Sequence, residues 1–159
     1  MAKVKVNIDL KSIRKEIVKE SKKSFKPLLK RLIIDESIAK GISPVKGKRR
    51  YKAYSRSYRD QIRAGRYRRF RKSVRPVNLK LSGELHKSFF VSFKNNRIVI
   101  GFKNKLADIH NRLGAGKSKV VRRMLPTRPK EEFNRRISKG IRDELKDIIS
   151  KVLRRRTRR

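Results

Sequence analysis

Apolar residues follow two kinds of spacing along the chain, and each kind predicts its own elements. Over residues 13–33 and again over 133–152, apolar side chains recur at the spacing typical of an amphipathic helix. The runs "FFVSF" and "RIVIGF" flank "KNN", and Asn tolerates the positive φ angles of a tight turn. We therefore predict an N-terminal helix, a β-hairpin over residues 88–102 and a long C-terminal helix over about 130–153.

Shorter patterns complete the expected fold. Residues 3–9 and the segment "VNLKL" at 77–81 alternate apolar and polar residues like short strands, and "NKLADIHNRLG" is typical of a short amphipathic helix closed by Gly114. Pro27 lies inside the N-terminal helical pattern, where its ring is expected to kink or divide the helix. The expected class is α+β, with a small antiparallel sheet, in a single domain that spans residues 1–159.

Residues 44–75 form a segment of different character. From Lys46 to Arg75 the sequence has fourteen Lys and Arg residues and a single acid, Asp60, with aromatic residues between the charges. "YSRSYRDQIR" has the spacing for one or two helical turns, but glycines on either side interrupt the pattern. We predict a long basic loop or arm here, and a basic tail over 154–159.

The charge balance limits the classes of partner. The chain has 50 Lys and Arg residues against 13 Asp and Glu, a formal net charge of +37. Self-repulsion at this density favours binding of a polyanion, which is DNA, RNA or an anionic membrane. The membrane fits least, because the arm lacks the continuous apolar face that surface binding requires. The chain has no cysteine, which excludes disulfides and Cys-ligated metals, and a secretory signal is not expected at its N-terminus.

The sequence gives no positive sign of catalysis, a cofactor or a metal. His86 and His110 are the only histidines, whereas a zinc site needs three or four ligands. "GAGKSK" has the Gly-Lys-Ser end of a P-loop, but it lacks the upstream glycine and follows a predicted helix instead of a strand. We therefore expect a protein that is not an enzyme and has no cofactor.

The basic arm and tail are the strongest functional signal. Their Lys and Arg side chains are expected to contact DNA phosphates without reading sequence. The interleaved aromatic residues either stack on bases or anchor the arm to its own or a neighbouring subunit, and their spacing favours anchoring. The residues predicted to contact DNA are Arg49, Arg50, Arg66, Arg68, Arg69, Arg71, Lys72, Arg154, Arg155, Arg156, Arg158 and Arg159.

The order of short motifs over residues 10–150 resembles a known family. "SPVKG" is followed by Tyr51, and then by "RPVNLKLSGELHKS", "RIVIGF", "ADIHNRLG" and "MLPTRPKEEF". This order is similar to that of the tail-completion, or neck, proteins of tailed bacteriophages, which belong to the virion-morphogenesis group. The Arg-rich spacer before Pro76 and the Arg-rich tail depart from the family pattern.

The resemblance implies a non-enzymatic ring component of the head–tail junction. It implies a homo-oligomer of six or twelve subunits, contacts with portal or head-closure proteins and with tail proteins, and a place in the virion after assembly in the host cytoplasm. Four residues would then belong to the fold or to interfaces between subunits: Pro76, Leu79, Leu81 and Leu85.

Composition favours a second class of function. A pI of about 11.6 and Arg-rich ends are also typical of ribosomal proteins and nucleoid-packaging factors. A helix-turn-helix regulator fits poorly, because the pattern predicts no helix pair with a suitable short turn. Neighbouring genes for portal, head-closure and tail-tube proteins would distinguish the phage protein from the other two.

Overall fold

The chain folds as an α+β structure, as its apolar pattern predicts, and the computed structural model describes residues 10–80, 82–94, 97–117 and 119–157. Its helices are α1 (Leu10–Leu29), α2 (Arg56–Arg63), α3 (Glu84–Lys87), α4 (Leu106–Asp108) and α5 (Arg135–Thr157). Its strands are β1 (Phe89–Lys94) and β2 (Arg97–Phe102). π-Helical segments over Lys30–Asp35 and Ile109–Leu113 continue α1 and α4, and 3₁₀ turns lie at Ile38–Lys40 and Arg68–Phe70.

Helices α1 and α5 pack along each other and form the framework of the fold. They run in opposite directions, since an ion pair joins the end of α5 to the first turns of α1. Phe25 and Leu29 of α1 and Val152 of α5 are buried between these elements and the rest of the core. Gly140 permits a close approach, because an added Cβ would lie 2.8 Å from Cδ1 of Leu32.

Pro27 lies within α1 without dividing it, so that part of the prediction is wrong. The α-helix continues to Leu29, and the chain then adopts a π-helical register over Lys30–Asp35. This segment buries three consecutive apolar side chains, at residues 32–34, and so brings the chain into the core. The buried hydroxyl of Ser37 donates to the carbonyl oxygen of Leu32 at 2.6 Å and satisfies one of the carbonyls at the helix end.

The predicted arm over residues 44–75, called here the basic segment, lies between the N-terminal helix and the hairpin as predicted. It is packed onto the core. Residues 56–63, predicted as part of a loop, form the helix α2, and Ser55 begins the helix by accepting the N–H of Tyr58 at 3.3 Å. Tyr51, Tyr54 and Ile62 are buried in the core. These apolar anchors, spread among the charges, explain why so basic a segment folds down onto the protein.

The hairpin is confirmed, and the strand at 77–81 is not. β1 and β2 pair antiparallel in a register that runs from Phe89↔Phe102 to Lys94↔Arg97. Residues 77–80 form no strand; the side-chain Oδ1 of Asn78 accepts the N–H of Lys80 at 3.1 Å, and this local turn replaces a strand partner. The predicted strand at 3–9, Leu81 and the hairpin tip at 95–96 lie outside the described residues.

We expect the stability of the fold to depend on the inward face of α5. Replacing Ile148, which is 4% exposed, with Ala should lower the free energy of unfolding by about 2–5 kcal/mol, because the change leaves a cavity. Leu145→Ala, one turn away at a position 40% exposed, should cost about 1 kcal/mol or less. Urea denaturation measures both values, and equal losses would show that α5 is not packed through this face.

Candidate nucleic-acid interface

Four of the arginines predicted to contact DNA lie on one short turn of the basic segment, called here the arginine turn (residues 65–71). Gly65 begins it with a φ of +82°, and its carbonyl accepts the N–H of Arg68 at 2.9 Å. A 3₁₀ turn follows, and Arg71 ends it at a φ of +48°. The exposed side chains are those of Arg66, Arg68, Arg69 and Arg71. A defined backbone therefore displays four guanidinium groups to solvent.

Arg49 and Arg50 are also exposed and also stand on fixed backbone. The carbonyl of Arg49 accepts the N–H of Ser43 at 2.8 Å, and Arg50 forms an isolated β-bridge with Ile42. Tyr51, the next residue, is buried, so the two arginines lie at the point where the chain enters the core. Their positions suit contacts to phosphates on the surface of the protein.

The tyrosines of the basic segment pack inward and against one another. The ring centroid of Tyr58 lies 5.0 Å from that of Tyr54 and 5.2 Å from that of Tyr67. The buried hydroxyl of Tyr51 donates to the carbonyl of Arg123 at 3.2 Å. Burial raises the pKa of Tyr54 to about 12 and raises that of Tyr51 as well. These contacts support the anchoring interpretation over base stacking.

The surroundings of Lys72 contradict the phosphate contact that we predict for it from the sequence. Its ammonium donates to Tyr54 Oη at 2.7 Å, to Asn78 Oδ1 at 2.9 Å and to the carbonyl of Lys80 at 2.6 Å. An ammonium has three protons to donate, and all three are used within the protein. Burial, with a smaller contribution from Arg122, lowers the pKa of Lys72 to about 8. Lys72 therefore ties the basic segment to the loop at 77–80 and is not available to DNA.

Two buried arginines were missed by the sequence analysis. Arg122 donates from Nε to the carbonyl of Lys52 and from Nη2 to that of Ala53, both at 3.3 Å, and its guanidinium lies 5.6 Å from the ring centroid of Tyr54. Desolvation by burial lowers the pKa of Arg122. The signal that was available is the apolar context of "VVRRML", which differs from the clustered charges of the basic segment.

Arg123, the neighbour of Arg122, is 7% exposed and binds a different part of the core. Its Nη1 donates to the carbonyl of Asn111 at 2.7 Å, and its Nε lies 3.5 Å from Oε1 of Glu131. The Asn111 side chain in turn accepts the N–H groups of Met124 and Leu125. Arg122 thus ties the loop at 121–124 to residues 52–53 of the basic segment, and Arg123 ties the same loop to the π-helical segment at 109–113 and to Glu131.

Residues 154–157 of the predicted basic tail form the last turn of α5, and two of these arginines form ion pairs with α1. Arg155 Nη1 lies 3.4 Å from Oε1 of Glu20, and Arg156 Nη2 lies 2.7 Å from Oε1 of Glu16. Each arginine thus has a carboxylate partner on α1, and the Arg155 side chain remains 54% exposed, so phosphate contact by these two residues stays a prediction. Arg154 is exposed, and Arg158 and Arg159 lie outside the described residues.

The four residues assigned to the fold or to interfaces differ in their burial. Leu79 and Leu85 are buried in the core of this chain, which supports the fold role for them. Pro76 is exposed, and Leu81 lies outside the described residues.

The two histidines, His86 and His110, are half-buried within the fold. Nε2 of His86 lies 2.9 Å from the carbonyl of Asn78, which can only accept, so this nitrogen carries a proton. Burial lowers the pKa of His86 and of His110.

The described residues contain no group of three His, Cys, Asp or Glu side chains arranged to hold a metal ion. Within the same part of the chain, no helix has the length and apolar character to cross a membrane.

The inward position of Lys72 predicts a pH dependence of stability. Its pKa is about 8 in the folded chain against an ordinary 10.5, so between these values the unfolded chain retains a proton that the folded chain has released. The contribution of Lys72 to the free energy of unfolding should therefore rise with pH across that window. Urea denaturation of the wild type and Lys72→Met at pH 7.5 and pH 10 should show a difference that shifts in favour of the wild type. A difference that stays constant would place the ammonium in water.

Comparison with known proteins found no match to this chain among protein-family models, curated proteins or solved structures. Function is therefore inferred from the motif order of the chain and from the cationic surface it displays.

Proposed function

We propose that this protein is a structural component of the head–tail junction of a tailed bacteriophage, a neck or tail-completion protein that works as a ring of six or twelve copies. The observation that carries the proposal is the order of motifs over residues 10–150, which resembles that family. In this role the ring joins portal or head-closure proteins to tail proteins in the virion, without catalysis.

Residues of the resembling motifs make contacts that hold the fold together. The Ser43 hydroxyl donates to the carbonyl of Arg123 at 2.8 Å, and the Tyr51 hydroxyl donates to the same oxygen. The Ser88 hydroxyl donates to the carbonyl of Leu85 at 2.7 Å. Structural roles of this kind support the interpretation that the motif order specifies a shared core and not a catalytic site.

Exposed apolar residues provide a surface for a neighbouring subunit. Leu106, Ile109 and Leu113 lie three and then four positions apart on α4 and its π-helical continuation, and they are 51%, 36% and 64% exposed. Large apolar side chains grouped on one surface are typical of sites that bind another protein. Burial of this group against an adjacent copy fits the ring that we propose.

We also propose that the basic segment contacts the phosphates of DNA, or acidic surfaces of partner proteins, at the junction. The arginine turn, Arg49 and Arg50 supply six exposed guanidinium groups on ordered backbone. The exposed Arg154 adds a further cation at the end of α5. A protein of net charge +37 beside a DNA channel gains affinity for DNA, because counterions leave the phosphates that its cations neutralise. This gain does not depend on the base sequence.

A second candidate function is a nucleic-acid-binding protein of the ribosomal or nucleoid-packaging type. The observation that favours it is the same exposed cationic surface, which requires no phage partner. The two candidates predict different locations: assembled phage particles for the first, and ribosomes or packaged chromosomal DNA for the second.

The ring is tested by a cryo-EM map of particles of the phage that encodes the chain. We expect six or twelve copies around the axis at the head–tail junction, with Leu113 buried between subunits. Leu113→Asp should leave the melting temperature nearly unchanged, because the side chain is 64% exposed in the single chain, and should block assembly of the ring. Particles that contain a single copy, or none, would refute the head–tail assignment.

Phosphate contact by the arginine turn is tested by the salt dependence of duplex binding. Changing Arg66, Arg68, Arg69 and Arg71 together to Gln should flatten the plot of log affinity against log salt by roughly three to four units, about 0.9 for each phosphate contact. The same loss should occur on unrelated duplex sequences, because no base is read.

The matched control for this variant removes the same charge from the exposed positions of α5. It changes four residues together to Gln: Arg135, Arg142, Lys146 and Lys151. This control should leave the slope close to that of the wild type. Equal slopes for the wild type and the arginine-turn variant would show that the turn faces protein or solvent instead.

A further inference from the structure

The charged residues on the exposed side of helix α1 are all cationic, and none of them is among those predicted from the sequence to contact DNA. The helix has two acids, Glu16 and Glu20, and both are paired with arginines of α5. The buried positions of α1 lie toward the core. The carboxylates are therefore used between the helices, and the solvent side carries only positive charge.

Five cations share one surface of this solvent side, which we call the α1 ridge. They line it together with a single apolar residue, the half-buried Val18. All five side chains are exposed, and the set is Lys11, Arg14, Lys15, Lys19 and Lys22. Since an α-helix rises about 1.5 Å per residue, the ridge extends roughly 16 Å along the axis. The ridge is not evident from the sequence, because its cations are dispersed along residues 11–22 and only the helix brings them onto one surface.

The ridge is unfavourable for the isolated helix. Lys11 and Lys15, and Lys15 and Lys19, are like charges four positions apart, an arrangement that destabilises a helix by a few tenths of a kcal/mol for each pair. Nothing in the packing of α1 against α5 requires cations on the opposite side. A local conflict of this kind that the fold does not require is typical of a functional surface.

The ridge matches a nucleic-acid duplex better than the other polyanions. Duplex DNA carries a phosphate charge about every 1.7 Å of its axis, so a row of cations roughly 16 Å long lies near several phosphates at once. A single strand is usually held by aromatic stacking, and the ridge has no aromatic residue. An anionic membrane requires an apolar face, and the apolar side of α1 is packed in the core.

We infer that the α1 ridge is a second, sequence-independent binding surface for the phosphate backbone of duplex DNA, separate from the arginine turn. Its lysines act as mobile point charges and its single arginine as a fork, so phosphates can be held without any base contact. The inference requires only a duplex, and it stands or falls independently of the head–tail assignment.

The test uses the full-length protein and a duplex of about 25 base pairs of arbitrary sequence. Changing Lys11, Lys15, Lys19 and Lys22 together to Gln should flatten the slope of log affinity against log salt by roughly three to four units. The quadruple α5 variant removes the same net charge from another helix surface and should leave the slope nearly unchanged. Equal flattening in both variants would show a general charge effect and would overturn the inference, as would no flattening in the ridge variant.

A second measurement keeps the inference testable if the ridge variant folds poorly. Lysine acylation of the wild type, read by mass spectrometry with and without the duplex, should show at least fivefold protection of the four ridge lysines and little protection of Lys146 and Lys151. Ridge lysines that are acylated equally with and without duplex would refute the inference.

Binding to anionic phospholipid vesicles distinguishes DNA from a membrane. A ridge variant that loses vesicle binding, yet keeps the full salt slope on the duplex, would assign the surface to a membrane and also refute the inference.

Discussion

A folded chain with 50 cationic and 13 acidic side chains must satisfy most buried cations without a carboxylate. This protein does so with neutral oxygens. Arg122 binds two backbone carbonyls beside the ring of Tyr54, and Lys72 binds a tyrosine hydroxyl, an amide oxygen and a carbonyl. Because these acceptors lie at residues 52–54 and 78–80, the two cations join the basic segment, the loop at 77–80 and the loop at 121–124. The shape of the basic surface depends on these joints.

The few carboxylates have a complementary role, since many of them link elements that are distant in sequence. Glu16 and Glu20 of α1 bind the end of α5, Glu132 binds Lys46, and Glu36 lies 3.4 Å from Arg136. Exposed pairs of this kind add little stability one by one. The two acids of α1 are paired with α5, so the α1 ridge holds no carboxylate, and residues 65–71 of the arginine turn contain no acid. The electrostatics of the interior and the proposed binding to phosphate are thus two consequences of one distribution of charge.

Local periodicity was enough to predict α1, the hairpin and α5, because each element is recorded in the spacing of its own apolar residues. It failed where a side chain far along the chain decides the outcome. A pattern of charges assigns every cation to the surface, so it misses the half-buried Lys72, whose ammonium binds Tyr54, and the ion pair between Arg156 and Glu16. The alternation in "VNLKL" predicted a strand, and the Asn78 side chain makes a turn there.

Native-state hydrogen exchange shows whether the basic segment is a folded surface held by the core. The N–H groups of Ser43, Lys46 and Tyr51 donate to the carbonyls of Arg49, Glu132 and Gly41 at 2.8 Å. We expect these amides to exchange only in openings nearly as costly as those that expose Ile148 in α5. Exchange of the three amides at the rate of an unfolded peptide, while α5 stays protected, would show that the core does not hold the segment.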